Sequence, residues 1–155
     1  MRAVVQRVLW ARVSVDGELV AEIGGPPAAR LLILAGVHRD DSEAEARLLA
    51  RKISQLRVFP DDDGRMNRSL EELGGECLVI SQFTLFADVR KGRRPSFFDA
   101  APPDHAVAVL EAFCGYLTGT VKLGRFGAKM LVELANDGPV TITLDTDIWS
   151  PSDAR

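Results

Sequence analysis

The sequence predicts a mixed α and β domain in which layered β-sheets carry two helices packed on one side. Three observations point there. Strand-like runs crowd the chain up to Val37, ending in the continuous apolar stretch Leu31 to Val37. Two later segments repeat apolar residues at helical spacing, one starting near Glu43 and one over about 103–118. Two further strand-like segments, 129–135 and 139–145, follow.

Taken in order, residues 1–8 and 10–15 read as strands, with Val4, Val5, Val8, Val13 and Val15 among polar neighbours. Asp16-Gly17 is a hairpin turn pair, leading to a strand near 18–23. Gly24 to Arg30 is a loop, and Leu31 to Val37 is short enough to be a buried strand. Asp41 or Ser42 caps the first helix, with Glu45 placed for a capping box and Ala46, Leu49, Ile53 and Leu56 on one face. Arg57 to Phe59 is a short strand. Pro60 to Gly64 is an acidic turn, since no Glu follows at the spacing of a calcium loop. Asn67 to Leu73 is a polar connector with room for one helical turn. The apolar run 76–86 comes next, then a basic loop. The second helix begins after Pro102-Pro103 and buries Val107, Leu110, Phe113 and Leu117. Residues 1–148 form one domain in this reading, and 149–155 form a polar tail.

A chain of 155 residues suits a single domain with a real core. Its 46% hydrophobic and 26% charged residues are the balance of an ordinary globular protein. No apolar run approaches the roughly 20 residues of a membrane span. MRAVVQRVLW is broken by Gln6 and Arg7 and is no signal peptide, so a cytoplasmic location without membrane contact is expected. Cys77 and Cys114 read as small buried residues rather than a disulfide. His38 and His105 are far apart, no metal-ligand spacing occurs, and neither metal nor cofactor is expected. A net charge of −3 argues against a grip on a long stretch of nucleic acid. The dense basic patch Arg90-Lys91-Gly92-Arg93-Arg94 is either a solvated loop or a local contact.

Two segments carry chemistry. Ser81, Gln82 and Thr84 interrupt the run Leu78 to Phe86, and burying such groups is costly unless each finds a partner. Strand alternation places Ser81 and Phe83 on one face and Gln82 and Thr84 on the other, at the end of a central strand. The residues alone permit a satisfied polar network in the core or a polar pocket edge. In Asn136-Asp137-Gly138-Pro139-Val140-Thr141, Asp-Gly is a turn pair and proline can open a strand. A Gly-Pro bond is also one where the cis form is accessible, which would aim carbonyls in fixed directions.

Together, Ser81-Gln82-Phe83-Thr84-Leu85 and Asn136-Asp137-Gly138-Pro139-Val140-Thr141 resemble the two signature motifs of the D-aminoacyl-tRNA deacylases. Gln6-Arg7-Val8, Val15-Asp16-Gly17-Glu18, Met66-Asn67, Arg94-Pro95-Ser96-Phe97 and Gly124-Arg125-Phe126 with Met130 extend the resemblance over nearly the whole chain. The loop Gly24 to Arg30 is longer than the family's compact glycine turn, and the tail runs past the last strand.

The resemblance implies the fold of that homodimeric family and hydrolysis of the ester joining a D-amino acid to the 3′-terminal adenosine of tRNA, with glycyl-tRNA also accepted. It implies that Ser81 and Gln82 position substrate, that the Phe83 N–H supports the oxyanion, and that Thr84 lies in the catalytic segment without an activating base. It implies a cis Gly138-Pro139 pair that reaches into the partner's site, faces the α-ammonium and rejects L-esters. Thr141 belongs to that motif, Arg7 orients the loop, and Phe126 and Met130 wall the adenosine site. Three readings compete. A related deacylase of misacylated L-alanyl-tRNA is the nearest. A noncatalytic RNA-binding module would favour aromatics clustered on a polar strand, and none do. A serine or threonine hydrolase of small esters would need a base partner, and neither histidine sits in such a context.

Overall fold

The computed structural model describes residues 1–26 and 28–149. Its elements run β1 (Arg2–Val15), β2 (Glu18–Ile23), β3 (Arg30–Gly36), α1 (Glu43–Gln55), β4 (Phe59–Pro60), β5 (Met66–Arg68), α2 (Leu70–Leu73), β6 (Glu76–Ser81), α3 (Pro103–Tyr116), β7 (Thr120–Leu123) and β8 (Met130–Asp145). Two 3-10 turns cover Phe83–Phe86 and Thr146–Ile148. The mixed α and β class and the placement of both long helices on one face of the sheet agree with the sequence.

The main sheet runs β2-β1-β3-β6-β7, with β8 along the other edge of β1. β1 is antiparallel to β2, β3 and β8, whereas β3, β6 and β7 are mutually parallel. The sheet curls until its two ends nearly meet. Lys122 on β7 donates to the Glu22 carbonyl of β2 at 2.6 Å, and the buried Glu76 carboxylate accepts from Gly24 N and Arg30 Nε.

This curl makes two cores. Ala3, Val5, Leu31, Ile33, Ala35, Cys77 and Val79 face the helices and meet Ala46, Leu49 and Ile53 of α1 and Val109 and Phe113 of α3. Val8, Ala11, Val13, Ile23, Leu32, Leu78 and Ile80 fill the concave side. β3 and β6 are buried on both faces, which is why they read as unbroken apolar runs.

Several sequence expectations need correction. β1 is one strand, not two. What resembles a break near Leu9 is a pair of register irregularities against β8, which flip the inward phase so that one strand serves both cores. β8 is likewise continuous from Met130 to Asp145, with residues 137–140 bulged out opposite Arg7. The short strand begins at Phe59 rather than Arg57 and pairs with Met66–Arg68. β7 is absent from the sequence expectation: four residues with exposed Thr120 are too short and polar to show a strand pattern, and parallel pairing with β6 holds them. In α3, Val109 rather than Val107 enters the core.

The capping box forms as read: Ala44 N donates to Ser42 Oγ at 3.2 Å, and Ser42 N to Glu45 Oε2 at 2.7 Å. Asp41 serves elsewhere. Its carboxylate lies 2.6 Å from the Met1 ammonium, which also donates to Thr146 Oγ1, so the start of β1 is tied to the segments flanking α1 and β8. Trp149, placed in the tail by sequence, packs against the helical core with the Lys52 ammonium 5.6 Å from its ring. The rest of that tail, 150–155, lies outside the described residues. Among the described residues no helix is long and apolar enough to cross a membrane, and no group of three His, Cys, Asp or Glu side chains could hold a metal.

Candidate active site

Ser81 is the last residue of β6. It pairs with Ala35, and Gln82 N donates to the Ala35 carbonyl at 2.8 Å before the chain leaves the sheet. Phe83–Phe86 then forms a 3-10 turn, so strand alternation does not continue through Phe83 and Thr84 as the sequence suggests. β3 makes room for it. The turn crosses directly over Gly36, where a Cβ would stand 2.8 Å from the Gln82 carbonyl oxygen and 3.2 Å from Leu85 Cβ. Buried Phe86 anchors the turn against the His38 ring at 5.3 Å and the Arg2 guanidinium at 4.6 Å. Arg2 also donates to the Leu85 carbonyl and is paired with Asp145.

The turn forms one side of a cavity of about 370 Å³. Ala35 and Val37 lie at its base with Ser81 and Gln82. Phe97, Ala100 and Ala101 come from the loop before α3, while Ala106 and Leu110 come from α3 itself. Phe126 and Gly127 close it from the β7–β8 connection. Small side chains leave the room, and Ser81 and Gln82 bring polar atoms to an otherwise apolar lining, a common form of ligand pocket. Phe83 is 56% exposed and meets Phe97 edge-on at 5.0 Å; Phe126 is 42% exposed. Three aromatics from separate segments therefore gather at one mouth, which sequence reasoning missed because they are not neighbours along the chain. A smaller hollow of about 140 Å³ adjoins and shares Ser81, Leu110 and Phe126. Met130 does not line the pocket. Its sulfur lies 2.7 Å from where a Cβ on Gly124 would stand, and the residue packs toward the concave core.

No activated nucleophile is present among the described residues. Thr84 is exposed and its hydroxyl accepts from the Gln82 amide. His38 accepts from Asp40 N and packs at a tilt against Phe86, while His105 Nε2 is 2.8 Å from the Asp41 carbonyl. Among the described residues, neither Ser81 nor Thr84 has a histidine or carboxylate hydrogen-bonded to it, as a triad would require. Phe83, as the first residue of a helical turn, has an N–H with no acceptor inside the turn.

The second segment lies elsewhere in the chain's fold. Residues 137–140 bulge from β8, and the Gly138-Pro139 bond is cis. Asn136 closes the bulge: its Nδ2 donates to the carbonyls of Arg7 at 2.9 Å and Val140 at 3.0 Å. Thr141 Oγ1 donates to Asn136 Oδ1 and accepts from Gln6 Nε2. Arg7 Nε is 2.9 Å from the Asp137 carboxylate, and its Nη1 donates to the Val58 carbonyl at 2.6 Å. Asn136, Asp137 and Gln6 thus shape the loop beside the expected Arg7 and Thr141. From Ser81 the path to the bulge crosses β3 and β1 to β8 and runs about four residues along the sheet. At ~4.8 Å per strand and ~3.3 Å per residue, that is roughly 20 Å. Within one chain, Ser81 and Pro139 do not share a site.

The chain matches the family described as D-Tyr-tRNA(Tyr) deacylase over residues 4–145, which includes both segments. The chain belongs to that family. It is 58% identical over 152 residues to a D-aminoacyl-tRNA deacylase of Roseiflexus sp. (strain RS-1), covering 96% of each chain. It is 51% identical to a D-aminoacyl-tRNA deacylase of Thermus aquaticus, covering 94% of this chain and 95% of the relative. Among solved structures, the c-Myc DNA Unwinding Element Binding Protein superposes with a TM-score of 0.86 at 40% identity, covering 94% of this chain and 98% of the other. A probable eukaryotic D-amino acid tRNA deacylase shares the fold at a TM-score of 0.73 and 19% identity, covering 92% and 97%.

Proposed function

We propose that this chain hydrolyses the ester linking a D-amino acid to the terminal ribose of tRNA, releasing the amino acid and free tRNA. The observation that carries the reading is Ser81-Gln82-Phe83 lining an apolar pocket, with Thr84 exposed at its edge and no nucleophile–base pair beside it among the described residues. Such a pocket works by position and electrostatics. Water attacks the ester carbon, assisted by the 2′-hydroxyl of the same ribose. The N–H of Phe83 stabilises the oxyanion, and Ser81 and Gln82 hold the ester. Phe126 walls the adenosine; Met130 supports from behind rather than by contact.

Selectivity comes from the Gly138-Pro139 loop of a second copy. The roughly 20 Å between this loop and its own Ser81 supports a homodimer in which each subunit completes the other's site. The loop's carbonyl oxygens accept from the α-ammonium, and an L side chain would collide with them. A D side chain points away to solvent, and glycine has nothing to reject, so glycyl-tRNA is cleaved too. Exclusion by clash suits a substrate class whose side chains vary.

Deacylation of D-tyrosyl-tRNA and L-tyrosyl-tRNA, measured side by side for the wild type and Pro139→Ala, tests this. Cleavage of the D-ester alone, with rate or selectivity lost in Pro139→Ala, is expected. Cleavage of both esters by the wild type would transfer support to an L-alanyl-tRNA deacylase, and cleavage of neither by a folded dimer to a noncatalytic RNA-binding role.

A further inference from the structure

Asp88 and Ser96 exchange two backbone hydrogen bonds, at 2.8 and 2.9 Å, and close a loop whose residues 89–96 are all exposed. Gly92, at φ +75°, turns its tip. The loop carries Arg90, Lys91, Arg93 and Arg94. Arg90 is held by Asp88 through Nε at 2.9 Å and Nη2 at 2.8 Å, and that bond keeps the Asp88 carboxyl down at about 2. Lys91, Arg93 and Arg94 have no ion-pair or hydrogen-bond partner among the described residues. On a protein of net charge −3, three unpaired cations in one short loop make a local positive field.

The root of this loop is part of the pocket. Ser96 leads directly into Phe97, which lines the cavity and packs on Phe83. Phe98 is clamped by Arg39, whose guanidinium lies 3.6 Å from the ring centroid and donates to the Phe98 carbonyl. The root is thus fixed and the tip is free. Gly92, five residues from Phe97, stands at most ~17 Å from the pocket wall.

We propose that Lys91, Arg93 and Arg94 bind backbone phosphates of the last few nucleotides at the 3′ end of tRNA, outside the pocket that takes the ester. The inference rests on the aminoacyl-tRNA reading for its ligand and is independent of which hand is cleaved. The reach limits the contact to phosphates near the terminal adenosine. An RNA strand is favoured over another polyanion because the loop root and the pocket wall are one segment, so the nucleotide in the pocket delivers its neighbouring phosphates to the cations. Arginine offers paired donors to phosphate, and lysine a point charge. Such a small set fits an acidic protein that grips only one end of a large RNA.

The test uses uncharged tRNA and, separately, the D-tyrosyl ester of adenosine, which has no phosphate. For the triple variant Lys91→Ala, Arg93→Ala, Arg94→Ala, tRNA affinity at ~50 mM salt is expected to fall at least tenfold. The slope of log affinity against log salt should flatten by about 2, since each single-strand phosphate no longer neutralised removes about 0.7. Hydrolysis of the adenosine ester should be unchanged. Asp88→Asn, which releases Arg90, should steepen the slope. An unchanged tRNA affinity and slope in the triple variant would overturn the proposal, as would an equal loss on the adenosine ester, which would make the loop a support for the pocket. Wild type that bound tRNA with this salt dependence but cleaved no ester would overturn the deacylase reading and leave the phosphate contact standing.

Discussion

Arg7 and Asp137 face each other across the bulge of β8, with Nε 2.9 Å from the carboxylate and Nη1 bound to the Val58 carbonyl. The Arg7 side chain is only 13% exposed, and a Cβ on Gly138 would come within 3.1 Å of its Nη2. Arg7 therefore acts as a strut between the segment entering β4 and the Gly-Pro loop. Arg7→Ala should leave the fold largely intact and misplace the loop by something near 1 Å, which costs on the order of 10²-fold in rate. The loss should appear in kcat on D-tyrosyl-tRNA, measured in single turnover, with circular dichroism unchanged. Retention of wild-type rate by the variant would remove Arg7 from the positioning set.

Gly36→Ala tests the crossing of the Phe83–Phe86 turn over β3. The added Cβ would push the Gln82 carbonyl, Leu85 and the Phe86 ring outward, since all lie within 3.2 Å of its place. Overpacking of this kind costs about 1–3 kcal/mol. Activity should fall by more than the stability loss explains, because Phe83 N–H moves with the turn. Thermal melting and deacylation assayed together separate the two effects.

The halves of the site differ in how clearly the sequence displays them. Val79 and Ile80 alternate between two cores, so β6 shows as an apolar run, and Ser81 marks where burial stops. The turn after it is hidden, because nothing in Phe83-Thr84-Leu85-Phe86 forbids a strand; the room for the turn comes from Gly36, distant in sequence. Phe97 and Ala100 are invisible as pocket residues for the same reason. The order of small motifs discloses the family, while the roughly 20 Å separation between Ser81 and Pro139 requires the sheet's register. β7 escapes notice because a four-residue parallel strand takes its conformation from its neighbour.

Asp41→Asn probes the corner where Met1, Thr146 and the entry to α1 meet. The Met1 ammonium and Asp41 side chain are 0% and 4% exposed, 2.6 Å apart. Removing one charge of a buried pair typically costs about 3–5 kcal/mol. For a domain of this size that corresponds to a fall of roughly 10 °C in Tm. Calorimetry of the variant beside the wild type measures it, and a shift under about 2 °C would mean that solvent reaches the pair.

Burial pushes the Cys77 thiol up to about 12 and the Cys114 thiol up to about 11. At pH ~8 the folded protein therefore holds little thiolate, and both cysteines should label slowly with iodoacetamide until denaturant is added. The linkage has a definite sign. Each pKa is raised on folding, so the stabilising neutral form is fully present below pH ~8.5 and stability declines as pH rises from there toward about 11–12. Urea midpoints at pH ~8 and pH ~10 should differ in that direction, and the Cys77→Ala, Cys114→Ala variant should show less of the decline.

Thr84→Val separates two mechanisms at this pocket. If the threonine hydroxyl were the nucleophile, its removal would abolish turnover and the reaction would pass through an acyl-enzyme. The structure gives that hydroxyl an amide partner, Gln82, which cannot take its proton, and neither histidine is free to help. Thr84→Val should therefore keep activity within about tenfold of wild type, the loss reflecting a looser Gln82. An inactive Thr84→Val enzyme, together with an acyl adduct trapped on Thr84 of the wild type, would place the nucleophile on the protein. The decisive substrate is the D-tyrosyl ester on a terminal 2′-deoxyadenosine. General acid–base assistance is worth typically about 10²–10⁴-fold, so removing the 2′-hydroxyl should slow the wild type by about that much while leaving binding unchanged. Full activity on the deoxy substrate would instead assign activation of the water to a protein group.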